Sequence, residues 1–158
     1  MAFIPVCEPM LAGNELKYVT EAVSTGWISS SGKYVTEFEK QFAEYCGCKY
    51  GIAVCNGTIA LHLALIGLGI GKGDEVIVPT FTMIASAFAV CYTGAKPVFV
   101  DADKDTWNID VKKIEEKITS KTEAIMPVHI FGKMCDMDAI HALAKKYNLY
   151  VLEDAAEA

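Results

Sequence analysis

With 158 residues, 53% of them apolar and 22% charged, the chain has the material for one α/β domain with a buried core and too little length for two. A formal net charge of −6, with no basic stripe interleaved with aromatics, excludes a surface that tracks a phosphate backbone, so nucleic acid is not an expected partner. The opening segment from Met1 to Val6 has no basic stretch leading into an apolar core, and no apolar run approaches the ~20 residues that span a bilayer, so a soluble, cytoplasmic protein without a membrane partner is expected.

Residues 13–25 and 34–45 carry helical patterns and flank a loop, GWISSSG, at 26–32. From residue 51 the texture changes. Short apolar runs at 51–55, 75–79, 97–100, 123–128 and 149–153 alternate with helical stretches at 58–68, 82–93, 110–119 and 136–147. Strands that are apolar almost throughout are buried on both sides, which predicts an α/β architecture: a mostly parallel sheet with helices on both faces. Asp110 and Asp136 stand where an N-cap oxygen would accept a free first-turn amide, and Ile140, Leu143, Ala144 and Tyr147 mark the buried stripe of the last helix. No repeat and no Pro/Ser/Gly linker interrupts this rhythm, so the expected organisation is a helical arm with its loop over 1–50 and one sheet domain over 51–158. The six cysteines (7, 46, 48, 55, 91 and 135) form no repeated C-x-x-C pair; Cys46 and Cys48 lack matching ligands elsewhere, and no metal is expected.

Two glycine-containing turns compete as phosphate sites. The run from Gly67 to Gly73 resembles a dinucleotide fingerprint only superficially, because it closes a helix and feeds a strand where that signature must leave a strand and open a helix. Asn56-Gly57-Thr58 has the required order. Free amides and the positive end of the helix dipole point outward together there, with Gly57 allowing close approach and Thr58 adding a hydroxyl; an ordinary turn and N-cap accounts for the same residues. Asp154 follows directly on the last strand, at the carboxyl edge where open α/β sheets place ligands. Buried, it would require a cationic partner, such as the protonated ring nitrogen of a cofactor; a helix N-cap is the plainer reading.

Taken in order, the loop 26–32, Asn56-Gly57-Thr58 with the following ALHLAL, the run from Gly73 to Thr80, Pro127-Val128-His129 and Glu153-Asp154-Ala155-Ala156 resemble the DegT and StrS type of sugar aminotransferase along essentially the whole chain. The resemblance implies the type I fold of pyridoxal-phosphate-dependent aminotransferases, with 1–50 as an amino-terminal arm carrying a loop at the active-site mouth and 51–158 as the first part of the cofactor-binding domain. It implies a homodimer, a nucleotide-linked keto-deoxysugar as substrate and an amino acid, usually glutamate, as donor. Within the family the nearest likeness is to enzymes that aminate a GDP-linked keto-deoxymannose for a surface polysaccharide.

By position, the resemblance assigns Gly57 and Thr58 to the cofactor phosphate, Asp154 to the pyridine nitrogen, and Glu157, where glutamine is common, to the neighbourhood of the phenolic oxygen. Met83 falls where an aromatic commonly stacks on the ring; a core methionine is the alternative. Trp27, Ser29 and His129 become candidates for substrate contact, with packing for Trp27 and a structural hydrogen bond for His129 as the alternatives. The lysine that bonds the cofactor is expected beyond Ala158, so these 158 residues by themselves are expected to be inactive. A sugar dehydratase of the same fold and a non-catalytic sensor on this scaffold are the rival readings.

Overall fold

In the computed structural model, which describes residues 3–5 and 7–158, four parallel strands lie side by side in the order β2-β1-β3-β4. They are β1 (Glu75–Pro79), β2 (Lys96–Val100), β3 (Thr122–Ile125) and β4 (Tyr150–Val151). Met1, Ala2 and Val6, part of the opening segment read for a leader, lie outside the described residues. Five α-helices accompany the strands: α1 (Glu15–Thr25), α2 (Lys33–Tyr45), α3 (Gly57–Gly67), α4 (Ile84–Thr93) and α5 (Met137–Tyr147). The chain divides into two compact units, Met1–Ala53 and Val54–Ala158.

Within the second unit, side-chain alternation along the strands builds two separate cores. Val76, Val78, Ala124 and Met126 point to one face and pack with Leu61 and Leu65 of α3 and Ala89 and Val90 of α4. Ile77, Val100 and Ile125 point to the other and pack with Ile140 and Ala144 of α5. From β1 the chain passes through α4 to β2 on one side, then crosses back past β1 to reach β3. The connections therefore reverse direction between β1 and β3, and the crevice at their carboxyl ends is where an open α/β sheet holds ligands.

Within the first unit, Glu21 of α1 ties the two helices together, accepting from the Tyr34 hydroxyl (2.6 Å) and the Lys33 ammonium (3.1 Å). Those two donors, Tyr34 first, lower the carboxyl's pKa from its ordinary value. The strand expected at 51–55 is absent. The Ala53 amide donates to the Glu39 carboxylate (2.9 Å), and a Cβ at Gly51 would lie 2.4 Å from the Glu39 carbonyl oxygen, so this segment satisfies itself against α2 rather than a ladder.

The helix expected at 110–119 is replaced by two short 3₁₀ turns, Val111–Lys113 and Glu115–Lys117. Asp110 caps the Lys112 amide in a tight turn, the β-branched Val111, Ile114 and Ile118 disfavour a regular helix, and Ile114 turns fully into the α5-side core. Asp136 does cap α5, through the Ala139 amide. The run from Gly67 to Gly73 ends α3 and enters β1 with Gly69 and Gly73 at φ of 80° and 106°, the turn that its helix-to-strand order predicts.

Candidate active site

Beyond β3 and β4 the pairing continues as an isolated parallel bridge between Val128 and Asp154. The Asp154 amide donates to the Pro127 carbonyl (2.9 Å), and the His129 amide donates to the Asp154 carbonyl (3.2 Å). Leu152 packs on the core under α3 and α4, and Asp154, two residues on in extended chain, turns its side chain to the same face. The first turn of α4 meets it there. Ser86, fully buried, donates its hydroxyl to Asp154 Oδ2 at 2.7 Å, and the Ala156 amide donates to Oδ1 at 3.2 Å. The Thr82 and Ser86 hydroxyls lie 2.8 Å apart.

Asp154 is only 7% exposed, and no cation pairs with it among the described residues. A carboxylate offers about four acceptor positions, of which this site fills two. Burying such a group without an opposite charge is costly, so a cation or a protonated ring nitrogen brought to its open side would suit it.

Of the two readings left open for His129, its surroundings accord with the structural hydrogen bond. It is 1% exposed, its Nδ1 accepts from the Cys135 amide (3.3 Å), and its Nε2, which must then carry the proton, donates to Glu153 Oε2 (2.9 Å). Neither nitrogen remains free for a ligand; the ring instead braces the segment that carries Asp154. The neighbouring Cys135 thiol donates to the Val128 carbonyl, and burial pushes its pKa up, the behaviour of a packed thiol rather than a nucleophile.

Glu157 accepts from the Phe131 amide through Oε2 (2.6 Å), stabilising a backbone turn in which Phe131 has φ of 50°. Its other oxygen has no protein partner among the described residues. Met83 is the N-cap residue of α4 and is 69% exposed, so it is an open apolar surface rather than a core methionine. It stands three residues before Ser86.

Gly57 and Thr58 open α3 as expected. Asn56 caps the helix through the Ile59 amide (3.0 Å), while the amides of Gly57 and Thr58 make no hydrogen bond among the described residues. A Cβ at Gly57 would meet nothing within 4 Å, so space for an anion is open. α3 packs directly on α4, the helix that carries Ser86. Trp27 and Ser29 belong to the first unit, where they line a cavity of about 280 Å³ with Glu21, Thr25 and Tyr34.

Ser86 and Thr82 were not among the residues expected from sequence. Their signal was present: two hydroxyls at i and i+4, and so on one side of a helix start, inside the apolar run FTMIASAFAV. Among the described residues there is no cluster of metal-ligating side chains, and no helix is long and apolar enough to cross a membrane.

Residues 9–158 match the family described as DegT/DnrJ/EryC1/StrS aminotransferases. The chain is 59% identical over 98% of its length to the GDP-perosamine synthase of Caulobacter vibrioides and 56% identical over its whole length to that of Escherichia coli O157:H7. It spans only 42% and 43% of the length of those two relatives. The crystal structure of NtdA from Bacillus subtilis with its bound cofactor PMP is 43% identical, with a TM-score of 0.84 over 89% of this chain and 32% of that one.

Proposed function

The chain belongs to the DegT/DnrJ/EryC1/StrS aminotransferase family, and from that premise we propose that the whole protein moves an amino group from an amino acid, glutamate in the first instance, to the keto group of a nucleotide-linked deoxysugar. The likeness to two GDP-perosamine synthases supports perosamine as the aminated product, and the reading takes a GDP-linked keto-deoxymannose as acceptor, a surface polysaccharide as destination and the cytoplasm as the place of reaction. The observation that carries the reading is the buried carboxylate of Asp154, which has no cation of its own among the described residues.

The residues present fit pyridoxal phosphate. When bound, that group would supply a conjugated electron sink for the carbon that gains or loses the amine. Asp154 would hold the proton at the pyridine nitrogen and keep the ring cationic. The free amides of Gly57 and Thr58, with the Thr58 hydroxyl and the helix dipole of α3, would hold the phosphate. Met83 would lie against the ring through a polarizable thioether, and the free oxygen of Glu157 would share a proton with the phenolic oxygen. Trp27 and Ser29 would meet the sugar. No lysine ammonium bonds to Asp154, Ser86, His129 or Glu157 among the described residues, and the reading places the cofactor-bonding amine elsewhere in the whole protein.

A homodimer belongs to the same proposal. α3 and α4 turn Ile59, Leu63, Ile66, Ile84, Phe88 and Tyr92 outward, and a helix that is apolar on all sides is one that is covered in the assembled protein.

The decisive experiment replaces Asp154 by Ala in the full-length protein. Removing one partner of a buried charge pair costs about 3–5 kcal/mol, so turnover should fall on the order of 10²–10⁴-fold. Retained turnover would take Asp154 out of the ring-nitrogen role.

A further inference from the structure

We propose that Ser86 is the positioning residue for Asp154, its hydroxyl holding the carboxylate in the orientation that meets the ring nitrogen; the inference rests on the role given to Asp154 above. Buried serine and threonine hydroxyls in helices commonly turn back onto a carbonyl three or four residues earlier. Thr93, at the other end of α4, does so, donating to the Val90 carbonyl at 2.8 Å. Ser86 does not. Its hydroxyl leaves the helix and reaches a carboxylate 68 residues away in sequence, at 2.7 Å, in a place fully closed to solvent.

The direction of the hydrogen bonds follows from the acceptor. An ionised carboxylate only accepts, so Ser86 must donate to Asp154 Oδ2. Its one proton is then used, and the 2.8 Å contact with Thr82 has Thr82 as donor. Thr82, Ser86 and Asp154 therefore form a one-way chain, each link polarising the next toward the carboxylate. The Ala156 amide, at 3.2 Å, holds the second oxygen from the carboxylate's own strand segment. The two donors come from different elements, the start of α4 and the extension of β4, and together they fix the carboxylate plane. Without Ser86 the carboxylate keeps a single donor and is free to rotate about its last torsion.

The test uses the full-length holoprotein with cofactor labelled at the ring nitrogen. Ser86→Ala should lower kcat about 10–100-fold, the size of one hydrogen bond to a charge, with KM for the sugar unchanged. It should also move the ring-nitrogen NMR signal toward the unprotonated position, and Ser86→Thr, which keeps the hydroxyl, should restore both readouts. Thr82→Val should shift the signal the same way by less. A ring-nitrogen signal that stays at its wild-type position in both Ser86→Ala and Thr82→Val overturns the proposal. Asp154→Asn separates the two levels: if it shifts the signal while the Ser86 and Thr82 variants do not, only the positioning role falls, and if it leaves the nitrogen protonated, the Asp154 role falls and takes this one with it.

Discussion

The two faces of the sheet are closed by helices of opposite character. α5 is amphipathic: Ile140 and Ala144 are buried against the sheet, while Asp138, His141, Lys145 and Lys146 are exposed on its outer side. α3 and α4 bury Leu61, Leu65, Ala89 and Val90 just as well, yet their outer sides repeat the same chemistry with Ile59, Leu63 and Ile66 on one helix and Ile84, Phe88 and Tyr92 on the other. The spacing of three or four residues along each helix makes these continuous stripes. One face of this unit presents charged groups to water, and the other presents a second apolar surface. The candidate site lies on the second face, since Ser86 and Thr58 come from α4 and α3.

The strongest way to break this contrast is a charge in the apolar stripe. Phe88→Lys in the full-length protein should convert the proposed dimer to monomer or to aggregate on size-exclusion chromatography, while Lys145→Glu on the outer side of α5 should leave the elution volume unchanged. Equal behaviour of the two variants would erase the distinction. The inner halves of the two faces should instead respond alike. Leu65→Ala and Ile140→Ala both empty fully buried positions, and each should cost about 2–5 kcal/mol in denaturant unfolding.

A smaller, pH-dependent effect lies at the amino end of β1. Glu75 is buried there and accepts from the Thr119 hydroxyl (2.7 Å) and the Lys96 ammonium (3.1 Å), and these donors, Thr119 first, hold its carboxyl below the usual value of 4.5. A carboxylate with a depressed folded-state pKa contributes stability that is present above 4.5 and lost as pH falls through the lower folded value. Glu75→Gln should therefore narrow the stability gap between neutral and acid pH, measured by melting at a series of pH values; an unchanged pH profile would show that Glu75 contributes nothing. The smallest effect is expected at Lys146, whose ion pair with Glu115 is on the exposed side of α5. Lys146→Ala should leave the melting midpoint where it was, because exposed ion pairs are screened and entropically costly.

The parallel sheet, both helix layers and the positions of Asp154, Gly57 and Thr58 were legible in sequence because each rests on local periodicity or on a residue type with few alternatives. The strand expected at 51–55 failed for a tertiary reason: Glu39 offers that backbone a partner, and no local pattern announces it. The 3₁₀ turns at 111–117 failed because apolar spacing alone does not distinguish a helix from a turn that delivers Ile114 to the core. His129 stayed open between substrate contact and a structural hydrogen bond, because only the fold traces its ring nitrogens to Glu153 and Cys135. Ser86 was missed because the Thr82–Ser86 spacing alone does not reveal that its hydroxyl partner lies 68 residues away.

The bridge between Val128 and Asp154 has a further consequence for how this site fails. Because the amide and carbonyl of Asp154 are both engaged in the extension of the ladder, its carboxylate is anchored on the sheet rather than on a free loop. Its amide hydrogen should exchange with solvent only through openings large enough to part the strands, with protection close to that of Ile125 and Met126. Warming or denaturant would then leave the buried carboxylate in place until the strands part, so loss of the candidate site and loss of the fold become one event.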